Sequence, residues 1–125
     1  MISTLFRGPG SLSCAAGVRR ALQQLCDGGA VSPPMADDLA LVATELISNA
    51  VHAGSSMIEV LLTIRGSELE LAVADDAPGT PAVRSAELLS TNGRGLRIVE
   101  AVAREWGHRP AHAGKTVWAR FTQSD

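Results

Sequence analysis

Two alternating apolar runs meet across a Gly-Ser pair in the middle of the chain. Ile58, Val60, Leu62 and Ile64 recur at every second residue, and after Gly66-Ser67 so do Leu69, Leu71 and Val73. A period of two puts one set of side chains on one face of a strand, and a Gly-Ser pair between two such runs marks a hairpin. The apolar face of that hairpin must be covered, and the flanking sequence offers helices to cover it.

The remaining elements fall around this hairpin. Leu5-Phe6 reads as a short first strand, broken by Gly8-Pro9-Gly10. Ser11 or Ser13 caps a helix running to about Cys26, with Leu12, Ala15, Val18, Leu22 and Leu25 as its stripe and Asp27-Gly28-Gly29 at its end. Ser32-Pro33-Pro34 is a second break, and a helix follows from about Met35 to Ala53, stopping at Gly54. Beyond the hairpin, Ala74 to Gly79 reads as a loop. Residues 80–92 are mixed, with one helical turn around Glu87. Gly93-Arg94-Gly95 opens a helix through Trp106, with Leu96, Val99, Val102 and Ala103 inward. Gly107 to Gly114 is a connection, and Lys115 to Phe121 is a last strand with Val117, Ala119 and Phe121 alternating. This order predicts an α+β fold. It is a two-layer α/β sandwich whose mixed, largely antiparallel sheet carries its helices on one face, formed as a single domain over residues 1–125.

Composition removes several classes of function. Apolar residues make up 46% and charged residues 19%, a globular balance. A net charge of -2 gives no electrostatic reason to expect nucleic acid or an anionic membrane as partner. No apolar run approaches the roughly 20 residues of a membrane helix. The stretch Met1 to Arg7 lacks the basic region and apolar run of a secretory signal. Cys14 and Cys26 fit no metal motif and, on one helix, cannot pair with each other. Two reduced cysteines suit a cytoplasmic protein. His52, His108 and His112 form no metal spacing and read as polar surface or helix-end residues.

Four segments bear chemistry. Leu39, Val42, Leu46, Ala50 and Ala53 form one stripe of the second helix, and Glu45 and Asn49 lie one turn apart on its flank. They fit an exposed shoulder with two solvated groups. They also fit a site in which Asn49 gives an oxygen to Mg²⁺ and Glu45 acts as a base, since Mg²⁺ takes few protein ligands and fills its shell with water and phosphate. Asp75 ends an apolar strand beside Ala77, Pro78 and Gly79. It suits either a turn cap or acceptance of a hydrogen bond from an exocyclic amine such as that of adenine, the small neighbours letting a flat ring approach. Asp76 is the more exposed of the two in this reading. Gly93-Arg94-Gly95 at a helix start either offers backbone N–H groups to a phosphate or is simply a flexible helix start. Gly114-Lys115-Thr116 resembles the end of a P-loop but fails as one: Arg109 stands where the motif needs Gly, and a strand follows instead of a helix. Thr116 is left as a side chain that could face a base.

In this order the four segments resemble the Bergerat-type ATP-binding fold shared by gyrases, histidine kinases and mismatch-repair ATPases. The closest resemblance is to the small bacterial anti-sigma factor serine/threonine kinases of the switch-protein type. It covers nearly the whole chain. It implies Glu45 as catalytic base, Asn49 as the Mg²⁺ residue and Asp75 as the adenine residue. Ala77 and Gly79 fall in the first glycine box, with Ala77 where many members have Gly. Gly93, Arg94, Gly95 and Leu96 fall in the second box, and Thr116 lies near the adenine. The implied cofactors are ATP and Mg²⁺. The implied partners are a small antagonist protein and a sigma factor, with a homodimer as the assembly. The rival expectation is a switch that binds ATP and sequesters a partner without transferring phosphate. The thirteen residues 80–92 between the boxes leave room only for a short lid, and the sequence contains no phospho-accepting His segment.

Overall fold

The alternation at the centre of the chain forms the hairpin it predicts. In the computed structural model, which describes residues 1–76, 93–111 and 114–123 and only the backbone over 93–96, β2 (Met57–Arg65) and β3 (Glu68–Asp75) pair antiparallel. Val60 lies opposite Val73, Leu62 opposite Leu71 and Ile64 opposite Leu69. These side chains share the face that the helices cover. The other elements are β1 (Ile2–Pro9), α1 (Cys14–Asp27), α2 (Pro33–His52), α3 (Gly93–Val102), β4 (Glu105–Pro110) and β5 (Lys115–Thr122). The strand order is β1-β2-β3-β5-β4, and every described pair is antiparallel. The α+β sandwich with helices on one side of the sheet is therefore the observed architecture.

α2 organises the helical layer. It packs between α1 and α3 and lies over β2 and β3, so it buries more than one stripe: Met35, Leu39, Val42, Ala43, Leu46, Ile47, Asn49 and Ala50 are all buried. Its start differs from the expected break at Ser32-Pro33-Pro34. The Ser32 hydroxyl caps the helix by accepting from the Met35 N–H at 3.3 Å, and the two prolines form the first turn. Proline suits that turn because its missing N–H would find no helical partner there. The Gln123 side chain, just after β5, clamps the α1–α2 connection by accepting from the Ser32 N–H and donating to the Ala30 carbonyl.

Both edge strands exceed what periodicity predicts. β1 spans eight residues, not two, with a register shift between Thr4 and Phe6 that interrupts the alternation. Only Leu5 and Gly8 of that strand are buried. At the other edge α3 stops at Val102, and Trp106 lies in β4 opposite Ala119. Residues 107–110, half of the expected connection over 107–114, are thus strand. Gly107 belongs there because a Cβ at that position would come within 2.7 Å of the Trp118 ring. Cys14 and Cys26 both sit on α1 as free thiols. Ala77, Gly79, the segment 80–92 and His112 lie outside the described residues.

The face of the sheet away from the helices is polar. Glu70 pairs with Arg109 at 3.1 Å and Arg120 at 3.2 Å, and Arg120 also reaches Glu105 at 3.0 Å while lying over the Trp118 ring. These exposed pairs are screened by solvent and salt and contribute little to stability. The core carries the stability. Leu39→Ala, at a fully buried position of α2, is expected to cost about 2–5 kcal/mol. Urea unfolding of parent and variant measures it, and a loss well under about 1 kcal/mol would contradict the packing of α2 described here.

Candidate functional site

The α2–β2 connection and the end of β3 come together at one edge of the sandwich. Asp76, the first residue after β3, joins them. Its carboxylate accepts hydrogen bonds from the Ser56 N–H at 2.8 Å, the Ser56 hydroxyl and the Met57 N–H at 3.0 Å. These bonds, that of the Ser56 hydroxyl foremost, hold the Asp76 carboxyl below its ordinary pKa. Asp76 is therefore the residue that caps a turn.

Asp75, one residue earlier, faces the other way. It ends β3 between Ile58 of β2 and Lys115 of β5. Its carboxylate is in the interior with only 2% of the side chain exposed, and Lys115 Nζ donates to its Oδ2 at 2.8 Å from a side chain equally buried. Gly114 lets β5 begin there, since a Cβ on it would overlap the Asp75 carbonyl oxygen. Thr116 pairs with Ala74, not with Asp75. Alternation turns its side chain to the opposite face of the sheet, so the side chain brought against Asp75 is that of Lys115, not Thr116. Sequence reading passed over Lys115 because its neighbourhood suggested only a failed P-loop. The strand that excludes the P-loop is present as β5.

On α2 the exposed-shoulder reading fails for Asn49, which is 4% exposed. Its side-chain amide makes no hydrogen bond among the described residues. Glu45, one turn earlier, is half-buried and likewise forms no ion pair or hydrogen bond there. Among the described residues the buried side-chain polar atom without a partner is Ser55 Oγ, whereas the Asn49 amide, on a residue 4% exposed, keeps its hydrogen-bonding capacity for a ligand or solvent. Its presence on the helix that lies over β3 fits a site completed by a ligand. Asn49 supplies a neutral oxygen of the kind Mg²⁺ accepts, alongside water and phosphate. Gly93–Leu96 form the first turn of α3, where backbone N–H groups lack helical partners. Among the described residues no group of His, Cys, Asp or Glu could hold a metal by itself, and no helix is long and apolar enough to cross a membrane. His52 bonds the Ser48 carbonyl at the end of α2. A concavity lined by Arg65, Glu68, Glu70, Arg104 and Arg120 lies at the opposite end of β3 from Asp75, and its charges are largely paired with one another.

A family model described as the histidine kinase-like ATPase domain matches residues 9–121. No curated protein gives a significant match. The matched span contains Glu45, Asn49, Asp75, Lys115 and the start of α3.

The Asp76 cap carries a pH signature. A carboxylate whose pKa is lower in the folded than in the unfolded chain adds stability above the unfolded value and loses it as pH falls through the folded one. The parent is therefore expected to lose stability relative to Asp76→Asn as pH drops below about 4. Urea midpoints of both proteins between neutral and strongly acid pH measure this, and parallel profiles would refute it.

Proposed function

The chain belongs to the histidine kinase-like ATPase domain family, and from that premise we propose that it is an ATP-binding regulatory serine/threonine protein kinase of the anti-sigma factor type. The observation that best supports this is the pair on α2. Asn49 is 4% exposed, one turn beyond a half-buried Glu45, and neither side chain hydrogen-bonds another described residue.

In this reading Asp75 accepts a hydrogen bond from the exocyclic amine of adenine, with Ala77 and Gly79 beside the ring. The first turn of α3, Gly93 to Leu96 with Arg94 among them, offers N–H groups to the phosphates, and the positive end of the helix dipole favours their charge. Asn49 holds Mg²⁺, which when bound neutralises phosphate charge. Glu45 takes the proton of a substrate serine hydroxyl as that oxygen bonds to the γ-phosphorus and ADP departs. Thr116, which pairs with Ala74 beside Asp75, lies near the adenine. The serine belongs to a small antagonist protein, and the second partner is a sigma factor bound in the cytoplasm by a homodimer of this single domain.

Isothermal calorimetry with ATP and Mg²⁺ tests the binding half of the reading. The parent is expected to bind, and Asp75→Asn, which keeps the shape but removes the charge, to bind about tenfold or more weakly. Absence of binding by the parent would sink the proposal. Glu45→Ala is expected to retain ATP affinity while phosphotransfer to a co-purified antagonist falls by about 10²–10⁴. ATP binding with no label ever reaching such a partner would favour the switch that sequesters without phosphorylating.

A further inference from the structure

The outward side of α2 is as ordered as its buried side. At about 100° per residue, Pro34, Asp38, Leu41, Glu45, Ser48 and His52 fall within about 40° of one line along the helix. None of the six is buried. Leu41 is 43% exposed. Among the described residues the other exposed large apolar side chains, Met1, Ile2, Leu12 and Met57, lie at the ends of strands or in a turn, so Leu41 is the one carried on a helix. Asp38 and Glu45 flank it on the same line, with Asp37 alongside. None of these three carboxylates forms an ion pair or hydrogen bond among the described residues. Arg19 and Arg20, exposed on the neighbouring α1, pair with none of them. A single exposed Leu would be ordinary. A Leu between unpaired carboxylates, one turn from the residue assigned as base, marks a surface that runs to the site.

Resting on the kinase reading of Glu45, we propose that this ridge of α2 seats the serine-bearing segment of the protein substrate, and that Leu41 and Asp38 set which segments fit. A serine hydroxyl that gives its proton to Glu45 brings its chain across the outward side of the helix. Leu41 stands four residues before Glu45, about 6 Å along the axis. An extended chain covers about 6.6 Å in two residues and turns both side chains to one side. An apolar side chain two residues from the serine therefore falls on Leu41. Asp38 stands about 10 Å from Glu45 on the same line, some three extended residues away. A basic side chain three or four residues from the serine reaches it, and Asp37 beside it adds to the attraction. An acidic one would meet like charge. The occupant is thus a serine segment with an apolar residue two positions off and a basic residue just beyond.

Phosphotransfer from labelled ATP by the full chain to short synthetic serine peptides tests this, with the co-purified antagonist as a parallel substrate. The peptides carry Leu or Gln two residues before or after the serine, and Arg or Glu just beyond. The parent is expected to favour Leu over Gln about tenfold in kcat/KM, on one side of the serine only, and that side fixes the direction of the chain over α2. It is expected to favour Arg over Glu about fivefold. Asp38→Lys is expected to flatten the preference for Arg, and Leu41→Gln the preference for Leu, each leaving the other preference standing. Both positions face solvent, and calorimetry with ATP and Mg²⁺ checks that the variants are folded. A side chain with a merely structural role would not move one preference alone. A parent that treats the peptides alike, or labels the antagonist and no peptide, overturns the proposal while leaving the kinase reading in place. So does a folded Asp38→Lys or Leu41→Gln that discriminates as the parent does. A parent that labels neither peptide nor antagonist overturns this proposal and the kinase reading together.

Discussion

A carboxylate and an ammonium group share the dry end of the sheet, and the arrangement around them depends on their contact. Removing each ion from water costs on the order of several kcal/mol, so neither is tolerable there alone. Their 2.8 Å pairing fixes β3 against β5 in one register. The same register sets Leu71 opposite Ala119 and Leu69 opposite Phe121 on the helix-covered face. A slip of one residue would separate the charges and turn every apolar side chain of β5 away from the core. Hydrophobic pattern and ion pair therefore select the same alignment. Gly114 permits it, by letting β5 enter against the Asp75 carbonyl.

The consecutive acids Asp75 and Asp76 show how strand alternation divides labour. Asp76 turns toward Ser56 and Met57 and fastens the start of β2 to the end of β3. Asp75 turns inward beneath the helical layer. α2 divides its residues similarly. Leu39, Val42 and Leu46 hold the helix on the sheet, while Glu45 and Asn49 lie among them without hydrogen-bond partners among the described residues. The helix that anchors the fold also carries these two polar side chains, so the rigidity of the core passes directly to the site.

Much of this was legible in the sequence because local patterns governed it. The β2–β3 hairpin follows from strict alternation and a Gly-Ser turn, and α2 from a long stripe closed by Gly54. The edge strands were legible only in part. β1 buries little and changes register at Thr4–Phe6, while β4 is mostly exposed and carries Gly107 and Pro110, so neither shows a clean period. Trp106 misled because its spacing from Val99 and Val102 continues a helical stripe as well as it starts a strand. Candidate residues on α2 and at the end of β3 were legible from residue type and position. The approach of Lys115 to Asp75 was not. It depends on the register of two strands separated by the whole of α3 and β4, and a one-residue difference in that register decides whether Lys115 or Thr116 shares the face of Asp75.

The burial of the sole lysine also bears on how the protein can be handled. Reagents directed at ε-amines find no exposed lysine on the folded chain, so acylating dyes reach only the α-amino group of Met1. Any acylation of Lys115 requires the β3–β5 seam to part first. One ε-amine thus becomes a chemical clock for the opening of one seam, readable by the mass of the peptide that carries Lys115.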